Sequence, residues 1–192
     1  MRTPAIAALA TFALLAGCGQ ADETPPTAAA PEAPPVETER TVLDAARENP
    51  EFSTWAALAS EAGLAERLED AGPVTLFIPT NAAFEKLPAA QRRALHEMPA
   101  RPALVRLLSR HVVPGRLTQQ DIAERAQAEG GAASLATLGG GALILRERDG
   151  RWTVRHGDAV SVIAMPDVIA ADGVIHAVDT VLTENQIRPA AL

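Results

Sequence analysis

Val74-Thr75-Leu76-Phe77-Ile78-Pro79-Thr80-Asn81-Ala82-Ala83-Phe84 decides how this chain folds. Residues 74–78 are apolar or β-branched and too few for a helix, so they read as a buried strand. Pro79 ends it, because proline has no N–H to give a ladder. Residues 81–86 then read as a helical turn. Asn81 stands at its start, where it can satisfy free backbone donors or hold the turn. A partner-contact role is the sharper reading of Asn81. The ordinary chemistry of Asn at helix starts favours the structural one.

Upstream, Thr41 can cap a short helix carrying Val42, Leu43, Ala45 and Ala46, stopped by Pro50. Ser53 begins a second helix with Trp55, Leu58, Ala59 and Ala62 on one stripe. Gly63 sits where a helix stop belongs. Downstream, Pro88 opens a helix through Met98, in the first turn that proline tolerates. Another covers 102–111, closed by Pro114. A third runs over 118–129 and carries Ile122 and Ala123, until Gly130-Gly131 breaks it. After Gly139-Gly140-Gly141 the character changes to strands, over 142–148, 151–156, 160–165 and 174–182. The last is apolar on both alternations, so it is buried on both faces. Helices first and strands later predict an α+β fold rather than a parallel βαβ sheet. No internal repeat is visible.

Asp149-Gly150 between two strands is a strong two-residue hairpin signal. That turn makes Arg148 face Arg151, Glu147 face Trp152, Arg146 face Thr153, Leu145 face Val154 and Ile144 face Arg155. Leu143, Leu145, Trp152 and Val154 then share one face. Arg146, Arg148, Arg151 and Arg155 gather on the other. The plain reading is a solvated face that blocks edge-to-edge sheet pairing. The sharper one is a docking strip for anionic polysaccharide, lipid headgroup or an acidic partner, since arginine forks grip carboxylate and phosphate.

The start of the chain is a different matter. Met1-Arg2 and an apolar run to Ala16 make a secretory signal peptide over 1–17. The run is too short to cross a ~30 Å hydrocarbon core as a helix. Leu15-Ala16-Gly17-Cys18 resembles the bacterial lipobox, whose Cys becomes the lipidated first residue. A plain leader with a chance Cys is the alternative. Cys18 sits where small-residue cleavage sites fall, which favours lipidation and a membrane tether. It is the only cysteine in the chain, so a lipid there leaves no thiol for a disulfide, metal or redox chemistry. Gly19 and Gln20 offer no Asp of the kind that retains lipoproteins in the inner membrane, which points to the outer membrane, or to the cell membrane where a cell has no outer one, facing either the periplasm or the cell surface. Residues 18–40 are rich in Pro, Ala and Glu and cannot bury enough apolar surface to order themselves. They read as a disordered tether reaching roughly 70 Å when fully extended. A folded domain over 41–184 and a tail over 185–192 complete the chain. The net charge is −7 and aromatics make up 3% of residues, which argues against nucleic acid as a partner.

Residues 75–84, His111-Val112-Val113-Pro114-Gly115 and Gly173-Val174-Ile175-His176-Ala177-Val178-Asp179-Thr180-Val181-Leu182 resemble the fasciclin-like domain family in content, order and separation. So does the leading stretch from Thr41-Val42-Leu43-Asp44 to Asn49-Pro50-Glu51-Phe52-Ser53. The likeness spans about 39–184. One departure is Asp172, where the family usually has Asn before Gly173. Both residues tolerate a left-handed turn, so little consequence is expected. The resemblance implies a β-sandwich wedge flanked by short helices. It assigns structural positions to Thr75, Phe77, Pro79, Asn81, Phe84, His111, Pro114, Gly115, Gly173, His176 and Asp179. It also implies a secreted or surface module for adhesion and for matrix or partner binding, without a shared catalytic site.

The residues themselves agree with a non-enzymatic expectation. His111 lies on the stripe of Leu104, Leu107 and Leu108, where a histidine is usually a core group bonded to backbone. His176 and Asp179 are three apart on a strand and point to opposite faces, against a catalytic dyad. Neither His96 nor His156 has a carboxylate or His at metal-ligand spacing. The glycine runs precede no Gly-Lys-Ser, and no GxSxG elbow appears. No cofactor or metal is expected. An unknown protein or an anionic polysaccharide is the expected partner, beside the membrane held through Cys18. The alternative is a carrier of a small apolar ligand, a pigment or a lipid, which needs an open apolar cavity between sheet and helices.

Overall fold

Thr41 starts the first helix, α1 (Val42–Glu48). Its hydroxyl accepts the Asp44 N–H while the Asp44 carboxylate accepts the Thr41 N–H, so two free donors are satisfied at once. The computed structural model describes residues 40–96 and 101–183, all within one unit of the chain. The signal peptide, Cys18, the tether up to residue 39, Met98 and the tail lie outside the described residues. A 3-10 turn (Pro50–Phe52) leads into α2 (Ser53–Ala62), whose inward stripe carries Trp55, Leu58, Ala59 and Ala62. Gly63 closes α2 at φ 65°, a left-handed conformation that glycine adopts most readily. It is also a pivot, for α3 (Leu64–Ala71) begins at once. Only Leu64 and Leu68 of α3 turn inward, so its periodicity is too thin to read in the sequence.

Four helices follow in pieces. Thr80 caps α4 (Asn81–Glu85) by accepting the Ala83 N–H. After α5 (Ala89–His96) and α6 (Arg101–Ser109), Thr118 and Asp121 form a second capping box on α7 (Gln119–Ala128). The helix expected over 102–111 stops at Ser109, and His111 lies in the turn beyond it.

The strands are β1 (Val74–Pro79), β2 (Val112–Pro114), β3 (Ala133–Ala136), β4 (Ala142–Arg148), β5 (Arg151–His156), β6 (Ala159–Ala170) and β7 (Gly173–Val178). They form one mixed sheet in the order β2-β1-β7-β6-β5-β4-β3. Strand β6 joins its two halves. Residues 159–162 pair with β5, and residues 163–170 pair with β7 through irregular register around Met165. Asp167 sits in this irregular stretch at φ 56°. Such a bulge lets one strand turn a corner and serve both halves. The Leu138 N–H bonds the Val112 carbonyl at 2.9 Å, tying the turn after β3 to β2 and nearly closing the sheet.

The structure goes beyond the sequence reading at two points and corrects it at one. One pair of strands is parallel, β1 with β7, from Val74↔Gly173 to Pro79↔Val178. Two short strands, β2 and β3, go unread in the sequence. The last strand ends at Val178 rather than Leu182, because Asp179 turns away and gives its N–H to the Val162 carbonyl. The α+β class stands.

Every residue of β1 and β7 is buried. Their alternation feeds two cores. Leu76, Ile78, Ile175 and Ala177 face the helices, against Phe52, Trp55, Leu58 and Leu108. Phe77 and Val178 face the other way, against Ile122, Leu135, Leu143, Leu145, Trp152 and Val154. Each large side chain so buried stabilises the fold by about 1.5–3 kcal/mol. The β4–β5 hairpin therefore turns its apolar face inward and its arginines out.

Candidate functional site

The hairpin register has Ile144↔Arg155, Arg146↔Thr153 and Arg148↔Arg151 as partners, as the Asp149-Gly150 turn requires. Leu143, Leu145, Trp152 and Val154 are buried on the inner face. Arg146, Arg148, Arg151 and Arg155 are all exposed on the outer one. Three of them, Arg146, Arg148 and Arg155, line a groove of about 710 Å³ with Ile144, Thr153 and Val160. Arg151 stands at the turn, outside that lining. The Thr153 hydroxyl donates to the Arg146 carbonyl at 2.9 Å, and Arg155 Nε donates to the Gly157 carbonyl at 2.8 Å. Among the described residues, no ion pair joins any of the four guanidiniums to a carboxylate.

The histidines are placed differently. His111 donates from Nδ1 to the Leu107 carbonyl at 3.0 Å and accepts the Leu182 N–H on Nε2 at 3.1 Å. Burial, with the nearby His156 and Arg110, pushes it down to about 4, so the ring is neutral near pH 7. His176 donates from Nε2 to the Leu117 carbonyl at 2.9 Å and accepts the Asp167 N–H on Nδ1 at 3.3 Å. Its ring stacks on Phe77 with centroids 5.2 Å apart, and burial lowers its pKa. His156 is buried, with Nδ1 on the Ala142 carbonyl at 3.2 Å.

Asp179 does not meet His176. Its carboxylate accepts the Val162 N–H at 2.9 Å and the Ser161 hydroxyl at 3.0 Å, and receives Lys86 Nζ at 3.2 Å. Partial burial pushes its pKa up, and the hydrogen bonds outweigh that and lower it. The side chain is 40% exposed, so Asp179 is half-buried.

Asn81 occupies the first turn of α4, but the cap of that helix is Thr80. Asn81 instead serves the start of α2. It accepts the Thr54 N–H at 3.0 Å and donates to the Pro50 carbonyl at 2.8 Å. Thr75 donates to the Gly115 carbonyl at 2.6 Å and accepts the Leu117 N–H at 2.9 Å, and Gly115 itself turns at φ 98°. Pro114 ends β2 opposite Val74, while Pro79 pairs with Val178. Phe77 and Phe84 are buried. Gly173 is packed so closely that a Cβ would strike the Val74 carbonyl oxygen.

Two carboxylates carry more of the architecture than their local sequence suggests. Asp172 accepts the Val42 N–H and Asp167 accepts the Gln119 N–H, each at 2.7 Å. They cap α1 and α7 from the turn after β6 and from β6 itself. No local pattern could have marked them, because cap and helix lie far apart in the chain. Asp172 makes no use of the left-handed turn it could tolerate. Among the described residues the only non-glycine residues with positive φ are Asp149 and Asp167.

A second hollow, of about 300 Å³, lies between α2, α4 and α5 over Leu58, Phe84 and Leu95, with Asn81, Glu85 and Arg92 at its rim. Among the described residues no three His, Cys, Asp or Glu side chains gather as a metal ligand set.

A family model described as Fasciclin domain matches residues 50–184. Protein sll1483 of Synechocystis sp. is 38% identical over 142 residues, which is 74% of this chain and 72% of that protein. Transforming growth factor-beta-induced protein ig-h3 of Sus scrofa is 31% identical over 149 residues, 78% of this chain but only 20% of that protein. Among solved structures, a FAS1 domain pair from the insect cell adhesion molecule Fasciclin I matches with a TM-score of 0.65 at 21% identity. That match covers 77% of this chain and 52% of the insect chain, and it bears on the fold alone.

Proposed function

The chain belongs to the fasciclin domain family, and on that premise we propose that it is an exported, lipid-anchored module for cell-surface adhesion or for protein and matrix binding. The observation that carries this reading is the extent of the match. Residues 50–184 take in nearly all of the folded part, so the domain is the working unit. Where the histidines are spent also supports binding over chemistry. His111 and His176 each commit both ring nitrogens to backbone partners, which suits structural groups better than proton carriers. The Leu15-Ala16-Gly17-Cys18 stretch supports a lipid at Cys18, and the tether after it lifts the domain off the membrane.

Fractionation of cells making the full chain tests the anchor. The wild type should travel with the membrane fraction, and Cys18→Ala should release it. Retention of Cys18→Ala on the membrane would overturn the lipid. Deleting the protein should reduce attachment of the cells to each other or to matrix; unchanged attachment would overturn the adhesion role. The carrier alternative draws on the apolar floor of the hollow at Leu58, Phe84 and Leu95. It predicts extractable pigment or lipid in the purified protein.

A further inference from the structure

We propose that the groove on the outer face of the β4–β5 hairpin binds a linear, carboxylate-bearing polysaccharide through Arg146, Arg148 and Arg155, with Arg151 at the turn beyond its end. The inference rests on the binding-module reading and supplies its partner.

Charge is the first reason. The chain carries a net charge of −7, yet four guanidiniums share one exposed face without an ion pair among the described residues. Four guanidiniums gathered on one face give a polyanion a local point of attraction, which orients it. Arginine is the suited cation, because its planar fork meets a carboxylate with two parallel hydrogen bonds.

Shape is the second reason. The face is concave, with a volume of about 710 Å³ and apolar ground at Ile144 and Val160. Val160 is 53% exposed. A concave strip fits a chain better than a flat bilayer. The C–H faces of sugar rings can lie over Ile144 and Val160 while their carboxylates reach the arginines.

Backbone pairing supplies the third. Strand β4 is flanked by β3 and β5, and β5 by β4 and β6. The β3 ladder covers β4 over residues 142–145 and the β6 ladder covers β5 over residues 153–156, so the backbone left open on this face is only residues 146–148 and 151–152 beside the turn. An acidic peptide therefore finds an edge of only two or three residues to extend and brings chiefly its side chains. A polysaccharide needs no edge. The groove lining includes no aromatic platform of the kind a neutral sugar stacks on, so charge supplies the grip. Binding of that kind weakens with salt, since exposed charges are screened over about 10 Å at 0.1 M.

The test uses the full chain carrying Cys18→Ala, so that no acyl chain brings it to lipid. Its binding is measured on immobilised alginate, neutral dextran, polyglutamate, and phosphatidylcholine vesicles containing phosphatidylglycerol. We expect alginate to be bound, dextran ignored, and affinity to fall severalfold between about 50 and about 300 mM salt. Replacing all four arginines with Gln should weaken alginate binding by about tenfold or more. Arg155 also holds the Gly157 carbonyl, so a triple variant of Arg146, Arg148 and Arg151 keeps that contact and guards against a folding loss. Replacement of all four by Lys should recover only part of the affinity, because the charge returns without the fork. Unchanged alginate binding by the Gln variants overturns the proposal, as does stronger binding to vesicles or polyglutamate than to alginate. Cell attachment separates this failure from that of the wider reading. If deletion abolishes attachment but the four-Gln variant restores it, the module stands and the groove falls.

Discussion

Asp172 accepts the backbone N–H of Val42 at 2.7 Å, joining residues 130 positions apart. Val42 is the first residue of α1, and its N–H is one of the donors a helix start leaves free. A carboxylate there also suits the positive end of the helix. The same turn gives the Asp172 carbonyl to the Val74 N–H at 3.0 Å, so one residue ties α1 and β1 together. Asp172→Ala should destabilise the domain by about 1 kcal/mol. Asp172→Asn should recover most of that, since its amide oxygen can accept the same N–H. Urea denaturation of the three proteins checks the order.

Gly173 follows, and its role is close approach rather than a special backbone angle. A Cβ at this position would overlap the Val74 carbonyl oxygen and press on Val42. Neither is the loose end of a flexible side chain, because the parallel β1–β7 ladder holds Val74 opposite Gly173. Gly173→Ala should cost more than about 4 kcal/mol, at the far end of what single substitutions do. A soluble variant with an unchanged melting temperature would contradict this.

Asn81 bridges two helices. Its oxygen serves the Thr54 N–H and its nitrogen the Pro50 carbonyl. Asn81→Ala removes both and should cost about 1–2 kcal/mol. Asn81→Asp keeps an acceptor for Thr54 but sets a second acceptor against the Pro50 carbonyl, so it should fall between. Faster hydrogen exchange at the Thr54 amide in the Ala variant is the local readout.

Stability should depend on pH in two separate windows. His111 has its folded pKa pushed down to about 4, and that of His176 is lowered as well. Below about 6.5 the unfolded chain takes protons on these rings that the folded domain refuses. Stability is therefore complete above about 6.5 and declines as pH falls toward about 4. For His111 the loss is on the order of 3 kcal/mol. Hydrogen bonds within the two capping boxes lower Asp44 and Asp121, and those on Asp179 lower it too. These carboxylates contribute only above their ordinary range and are lost at lower pH, below about 4. Denaturation midpoints measured from pH 7 to pH 4.5 should fall. His111→Gln should be less stable at pH 7 but show a shallower fall.

Local chemistry determined a good part of this protein. Thr41, Thr118 and Gly63 mark helix ends because a cap is made by neighbours. Asp149-Gly150 sets the hairpin register, and through it the arginine face, because a two-residue turn leaves one pairing open to its strands. Tertiary structure decided what neighbours cannot. It cut the last strand at Val178, paired β1 with β7, and recruited β2 and β3, strands of 3 and 4 residues. It sent Asp172 to Val42, Asp167 to Gln119 and Asn81 to Thr54. Such partners lie 130, 48 and 27 positions apart, so no periodicity or spacing encodes them. They are chosen when burial of the two cores closes the long loops and leaves each free donor beside whichever acceptor the packing has brought there.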